Sequence, residues 1–135
     1  MKKYDLEHER SNYSAALILE NGQIFWGHGL GPKKTSIAEL CFNTSMTGYQ
    51  EVLTDPSYAK QIITFTFPHI GIVGTNQNDN ESLTSFVSGC VLSEDIDKPS
   101  NWRSKLTLEK WLKKNNVPCI TNVDTRFLTR ILSEQ

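Results

Sequence analysis

The order of the hydrophobic patterns along the chain constrains its fold more than any other feature. Apolar runs of strand length fill the first two-thirds, and residues with helical spacing follow in the last third. In a doubly wound sheet the two kinds of segment would alternate instead. The segregated order therefore predicts one α+β domain, and 135 residues are enough to bury one hydrophobic core.

A tight hairpin is predicted near the start of the chain. Asn21-Gly22 lies between the apolar runs 15–19 and 23–26, and this dipeptide is the strongest short signal for a hairpin. The three glycines between 27 and 31 are predicted to end the hairpin as turn residues. Neither a helix pattern nor a Lys-Ser/Thr pair follows them, so a phosphate loop is disfavoured.

Three further strands are predicted, at 38–43, 61–67 and 86–92. The middle one alternates, with Ile63, Phe65 and Phe67 on one face, which is typical of a half-buried strand. The segment from 93 to 103, which contains a proline, is expected to cross the surface between elements.

Two helices are predicted in the last third. The spacing of Leu108, Trp111 and Leu112 indicates a helix that ends at Asn115-Asn116, and a short strand is expected at 118–120. Asp124 is suited to cap the last helix, since its side chain can accept a hydrogen bond from a free amide of the first turn. The buried stripe of that helix is expected to contain Phe127, Leu128, Ile131 and Leu132.

A polar motif at 43–58 lies between the predicted strands. It is expected to leave a strand, to break at Gly48 and to form a short helix through Val52 and Leu53. Pro56 fixes the backbone of a turn, and the carboxylate of Asp55 can accept hydrogen bonds from amides just beyond it. Ser57 is therefore predicted to be displayed at a defined bend. The alternative is that Asp55 and Ser57 only cap a helix and begin the next strand.

Residues 42–58 resemble the signature of the small, glutamine-hydrolysing subunit of carbamoyl-phosphate synthetase. Two later blocks, 67–76 and 124–130, are similar to later blocks of the same family and follow in the same order. The resemblance covers roughly residues 15 to 134 and corresponds to the family's N-terminal domain only. It implies that domain at 14–135, with the glutaminase domain absent from these residues. Residues 1–13 are charged and lack periodicity, which predicts a loose leader.

The resemblance also implies a fold and a role. The family's domain is a layered β/β/α sandwich of the swivelling type, and Ser57 corresponds to a serine that contributes to the glutamine pocket. The glutaminase domain of the same subunit would release ammonia from glutamine. The large subunit would use that ammonia with bicarbonate, ATP and Mg to make carbamoyl phosphate for arginine and pyrimidine synthesis.

The residues themselves indicate no catalytic centre. A nucleophilic thiol of the family's type needs a G-x-C-x-G turn, and none of Cys41, Cys90 and Cys119 has it. The histidines are scattered without a second ligand at metal-binding spacing, so we expect neither a metal nor a cofactor in this domain. No catalytic residue is predicted, and the 135 residues alone are expected to be inactive in glutamine hydrolysis.

The charge balance limits the partners. With 14 basic and 15 acidic residues the net charge is −1, which disfavours nucleic acid and anionic membranes. No apolar run follows the N-terminal lysines, and we expect a cytoplasmic protein.

Two other functions stay open, a free-standing protein-interaction module and a small enzyme that uses His69. The last helix ends at 133–135 without a glycine or proline stop signal, so we expect the reading frame to continue. We also expect an exposed apolar patch near Tyr49, Tyr58 and Phe67, because the domain that would cover it is missing.

Overall fold

A computed structural model of the chain describes residues 13–44, 52–66, 85–93 and 102–134. Within these residues Val52 and Leu53 are helical, Pro56–Tyr58 form a 3-10 helix, and the larger elements are six strands and two α-helices. In chain order they are β1 (Ala15–Ile18), β2 (Ile24–Leu30), β3 (Glu39–Asn43), β4 (Gln61–Phe65), β5 (Gly89–Val91), α1 (Trp102–Asn115), β6 (Cys119–Thr121) and α2 (Thr125–Ser133).

The six strands form one mixed sheet in the order β1-β2-β6-β5-β4-β3. The N-terminal hairpin is antiparallel and joins the rest through an antiparallel pair of β2 with β6. The remaining neighbours, β6 with β5, β5 with β4 and β4 with β3, are parallel. One mixed sheet with two helices is an α+β fold, so the α+β part of the predicted fold class is confirmed.

The hairpin turn has the structure that its sequence predicts. Gly22 has a φ of +92°, which a residue with a Cβ rarely adopts. The side chain of Asn21 accepts a hydrogen bond from the Gln23 amide at 2.9 Å. The turn sets the register of the strands, in which Ile18 is paired with Ile24. The predicted hairpin is confirmed.

The glycines after the hairpin do not all end it, and here the prediction was wrong. Gly27 and Gly29 lie inside β2, which continues to Leu30 because its second half pairs with β6. A Cβ on Gly27 would overlap the carbonyl oxygen of Thr121, so this glycine lets β2 and β6 approach each other. Gly31, at φ +83°, is a turn residue as predicted.

Strand β4 is buried on both faces, whereas the alternating pattern predicted burial of one. Ile63 and Phe65 are buried as expected, but Thr64 on the opposite face is fully buried as well. The reason is its position in the sheet, between β3 and β5, with an apolar cluster on each side. Phe67 lies outside the described residues.

Helix α1 belongs to the first of these clusters and ends where the sequence predicts. Leu108, Trp111 and Leu112 are all buried, and Asn116 has a φ of +58° just after the last turn. The helix begins at Trp102, inside the segment predicted as a crossover. Strand β5 is shorter than predicted, since it covers only Gly89–Val91.

Helix α2 belongs to the second cluster. The carboxylate of Asp124 accepts a hydrogen bond from the Phe127 amide at 3.0 Å, which confirms the predicted cap. Leu128 is fully buried, and Ile131 and Leu132 are half-buried. Phe127 is 46% exposed, so its predicted place in the buried stripe was wrong. No helix in the described part of the chain is long and apolar enough to cross a membrane.

Candidate functional site

Ser57 lies on a short, well-defined turn between the helical residues Val52 and Leu53 and strand β4. The turn is a 3-10 helix at Pro56–Tyr58, and Pro56 occupies its first position. One carboxylate oxygen of Asp55 accepts both the backbone N–H of Ser57, at 2.9 Å, and the Ser57 hydroxyl, at 2.8 Å. The predicted bend is confirmed, and both side chains are exposed at its tip.

Backbone and side-chain hydrogen bonds fasten this turn to the domain. The Asp55 amide donates to the carbonyl of Val52, and the Tyr58 amide donates to the carbonyl of Asp55. The phenol oxygen of Tyr58 accepts a hydrogen bond from the side chain of Asn43, at the end of β3, at 3.1 Å. Because Val52 and Asn43 are buried, these hydrogen bonds anchor the exposed turn to the interior of the domain.

The hydrogen bonds from Ser57 also set the charge of the turn. The backbone N–H of Ser57, and then its hydroxyl, lower the pKa of the Asp55 carboxyl below its ordinary value of 3.8. Asp55 is therefore ionised at neutral pH. An ionised carboxylate can only accept hydrogen bonds, so the hydroxyl proton of Ser57 points toward Asp55.

The three cysteines are free thiols and lie away from this turn. Cys41 is in β3, and Cys90 and Cys119 are buried at paired positions of β5 and β6. Burial, and then the hydrogen bond to Cys90, raise the pKa of Cys119 well above its ordinary value. Burial, and then the charge of Glu39, raise the pKa of Cys41. These two thiols are held protonated, the opposite of what a nucleophile needs.

The metal site, the histidine and the apolar patch that the sequence analysis considered are taken next. Among the described residues no three His, Cys, Asp or Glu side chains are grouped closely enough to hold a metal ion. His69, Tyr49 and Phe67 lie outside the described residues. Tyr58, where an apolar patch was expected, is half-buried against the first cluster. The exposed large apolar residues of the described part are Tyr13, Ile18, Ile24, Ile37, Phe86 and Phe127.

A large cavity formed by the described residues is elsewhere in the domain. It has a volume of about 1090 Å³ and lies between β1, the segment 29–36 and the start of β6. Its lining includes neither Asp55 nor Ser57. The turn is therefore an exposed surface and not part of this cavity.

Sequence reasoning missed two contacts of the site. One is the bond between the Ser57 hydroxyl and Asp55, although the D-x-S spacing is a known signal for such a bond. The other is the pair of Asn43 and Tyr58, which are 15 residues apart. A separation of 15 residues leaves no local sequence signal for this bond.

The fold and this turn define a small mixed α+β domain with one preorganised polar turn at its surface. The chain belongs to the carbamoyl-phosphate synthase small chain family, because the family model described as "Carbamoyl-phosphate synthase small chain, CPSase domain" matches residues 17–135. The resemblance stated from the sequence motifs is thereby confirmed.

Curated relatives agree with this family. The chain is 48% identical over 126 residues to the carbamoyl phosphate synthase small chain of Mesorhizobium japonicum, covering 90% of this chain and 32% of the relative. It is 50% identical over 116 residues to the pyrimidine-specific small chain of Bacillus subtilis, covering 86% of this chain and 32% of the relative. It is also 50% identical over 122 residues to the small chain of Pectobacterium atrosepticum. The chain thus spans about a third of the length of these relatives.

Proposed function

We propose that this chain acts as the N-terminal domain of the glutamine-hydrolysing small subunit of carbamoyl-phosphate synthase. A glutaminase domain of the same subunit hydrolyses glutamine, and the large subunit combines the ammonia with bicarbonate in a reaction that uses ATP and Mg. The product is carbamoyl phosphate for arginine and pyrimidine synthesis. Family membership and the identity to small chains of about three times this length support the proposal.

In this proposal the domain has two tasks, which are to complete the glutamine pocket through Ser57 and to contact the large subunit. The observation that carries the first task is the turn itself. Ser57 is exposed, its hydroxyl is fixed by Asp55, and the turn is anchored to buried residues. A hydroxyl held in one orientation loses little conformational entropy when it binds a ligand, which suits a pocket residue.

The proposal includes the domain's boundaries and its finer architecture. Residues 1–13 serve as a leader and 14–135 as the domain, which adopts the β/β/α sandwich of the swivelling type. The mixed sheet, in which β1 and β2 extend antiparallel from the parallel strands, supports this architecture.

Residues 1–135 alone do not hydrolyse glutamine in this proposal. Hydrolysis by a covalent route needs an activated thiolate, and burial of Cys119 and Cys90 works against one. Glutamine turnover that stays with the purified 135-residue protein through repeated purification would disprove this part.

The change Ser57→Ala, made in a complete small chain assembled with its large chain, tests the proposal. Loss of one hydrogen bond costs about 0.5–1.5 kcal/mol, and up to about 3 kcal/mol with a charged partner. Glutamine use should therefore weaken by a few-fold to about a hundred-fold, at about tenfold per 1.4 kcal/mol. Synthesis from ammonia bypasses the glutamine pocket and should be unchanged.

A matched control is Ser133→Ala, which removes an exposed serine hydroxyl at the end of α2. It should leave both nitrogen sources unaffected. If Ser57 were only a turn cap, its replacement would lower the melting temperature and affect glutamine and ammonia alike. Unchanged glutamine kinetics in a stably folded Ser57→Ala protein would remove Ser57 from the site.

A second candidate function, a free-standing protein-interaction module, is favoured by one observation. Ile18 and Ile24 are paired across the hairpin, and they are 66% and 37% exposed. A paired apolar surface of this kind can bind a partner protein. The rate of glutamine-dependent synthesis, measured with the large chain present, distinguishes the two functions. If the domain were only an interaction module, Ser57→Ala would leave that rate unchanged.

A further inference from the structure

Cys90 and Cys119 lie side by side in the sheet, at directly paired positions of the parallel strands β5 and β6. Backbone hydrogen bonds hold this register. The Cys90 amide donates to the carbonyl of Pro118 at 3.1 Å, and the Leu92 amide donates to the carbonyl of Ile120 at 2.8 Å. Neighbouring strands are about 4.7–4.9 Å apart. A disulfide needs Cα atoms about 4.4–6.8 Å apart, so the two backbones are already at a suitable distance.

The side chains of the two cysteines lie on the same face of the sheet. Both belong to the first apolar cluster, to which α1 contributes, whereas the next residues, Val91 and Ile120, belong to the second cluster. After burial, the thiol of Cys90 is the largest cause that raises the pKa of Cys119, as expected of two adjacent thiols. A disulfide between them therefore requires no change in the register of the strands.

Cys41, the third cysteine of the chain, is on the same row of the sheet but too far away to join this bond. It is paired with Ile63 of β4, and Ile63 is paired with Cys90. Two strand spacings, about 9.5 Å, therefore separate Cys41 from Cys90. Cysteines whose Cα atoms are more than about 7 Å apart cannot be bridged without movement of the backbone. The fold thus selects one pair among the three cysteines.

A small molecule can approach the selected pair. Both cysteines line the cavity of about 1090 Å³ between β1, the segment 29–36 and the start of β6. Cys90 is 3% exposed and Cys119 is 6% exposed. A bulky or charged reagent is excluded from such a position, because a charge is costly to bring into an apolar cluster. A small uncharged reagent is not excluded in this way.

The environment favours a disulfide over a charged product. The thiol of Cys119 donates only a long hydrogen bond, at 3.9 Å, to the carbonyl of Ile120. A disulfide carries no charge and has no hydrogen to donate, so an apolar cluster accommodates it without a hydrogen-bond partner. Thiolates, which a bound metal ion would require, would place negative charge in the same cluster.

We propose that Cys90 and Cys119 are an oxidation site, at which a small uncharged two-electron oxidant such as a peroxide converts the two thiols into a disulfide between β5 and β6. Both S–H bonds break as the S–S bond forms, and the two protons and two electrons pass to the oxidant. Hydrogen peroxide is thereby reduced to two molecules of water. Neither cysteine belongs to the proposed glutamine pocket, so the oxidation site does not depend on that function.

Diamide, a small uncharged azo compound whose N=N bond accepts the two hydrogens, is the probe for this site. The folded 135-residue chain is treated with diamide at low protein concentration. The remaining thiols are blocked with N-ethylmaleimide in urea, and the digested peptides are identified by mass spectrometry. We expect one disulfide per chain, between Cys90 and Cys119, with the maleimide on Cys41. Three blocked thiols, a disulfide that includes Cys41, or a covalent dimer would overturn the proposal.

Oxidation of the same chain in urea is the control for the role of the fold. The entropy of loop closure depends only weakly on loop length, so the unfolded chain should give a mixture of disulfides that includes Cys41. If the folded chain gave the same mixture, the sheet would not select the pair, and the proposal would fail.

Two variants complete the test. Cys41→Ser should form the same disulfide at an unchanged rate, and a loss of the disulfide in this variant would overturn the proposal. Cys90→Ser should keep both of its remaining thiols while it is folded, and a disulfide between Cys41 and Cys119 would contradict the selection by the sheet. Cys90→Ala, which places no hydroxyl in the apolar cluster, replaces Cys90→Ser if that variant does not fold.

Discussion

The close approach of β2 and β6 at Gly27 leads to a prediction that the structure allows us to quantify. This contact joins the N-terminal hairpin to the parallel strands. In Gly27→Ala the new Cβ would overlap the carbonyl oxygen of Thr121 and lie 2.9 Å from the Cγ1 atom of Ile120. Since carbon atoms in contact are normally about 3.5–4.0 Å apart, the strands would have to separate by roughly one ångström.

The expected cost has two parts. Overpacking in a filled interior costs about 1–3 kcal/mol, and weakening one interstrand hydrogen bond adds about 0.5–1.5 kcal/mol. We therefore expect a loss of about 2–4 kcal/mol in the free energy of unfolding. For a domain of this size that corresponds to a fall of about 10 °C in the melting temperature.

Gly29→Ala is a matched control on the same strand and the same face. Its Cβ would meet Ala15 Cβ at 3.6 Å and Ser14 Oγ at 3.7 Å, which are ordinary contacts. Removing a glycine from a strand restricts the unfolded chain, so stability should be unchanged or rise by up to about 1 kcal/mol. Thermal and urea unfolding of the 135-residue protein measure both variants. Equal stability of Gly27→Ala and Gly29→Ala would refute the argument from strand separation.

Three further predictions follow from burial and charge. Leu128→Ala should cost about 2–5 kcal/mol in urea unfolding and Phe127→Ala no more than about 1.5 kcal/mol, because only the first is fully buried; equal losses would contradict this. Cys90 and Cys119 should resist Ellman's reagent at neutral pH until urea unfolds the protein, and rapid reaction of the native protein would contradict their burial. Because the folded-state pKa of Asp55 is lowered, its stabilising contribution is complete above the unfolded-state value and is lost as the pH falls through the folded-state value. Asp55→Asn should therefore flatten the dependence of unfolding free energy on pH below about 4, and an unaltered acid profile would contradict this.

Sequence reasoning succeeded where the structure depends on neighbouring residues. The turn at Asn21-Gly22, the cap at Asp124 and the bend at Asp55 are each set by a side chain bonded to a backbone N–H two or three residues away. The helix end at Asn116 is of the same kind, since it depends on a residue that tolerates a positive φ. These interactions form within one turn of chain, so a short stretch of sequence contains all their causes.

Sequence reasoning failed where the local structure depends on elements that are distant in sequence. Gly29 lies in a strand because β6, more than 90 residues later, pairs beside it, and Thr64 is buried because an apolar cluster lies on each face of β4. Phe127 has the right spacing for the buried stripe of α2, yet it lies at the edge of that stripe and contacts the ring of Phe25. Periodicity identifies the apolar face of a helix but not how far the covering surface extends.

The candidate site has one feature that the sequence predicts and one that it does not. The sequence predicts that Ser57 is displayed at a rigid bend, because proline and aspartate act locally there. It does not decide whether the hydroxyl donates or accepts, since that depends on the side-chain rotamer, which the 2.8 Å contact with Asp55 fixes. Serine is chemically ambiguous, and the ionised neighbour removes the ambiguity. The direction of that bond therefore depends on the ionised state of Asp55, two residues away along the chain.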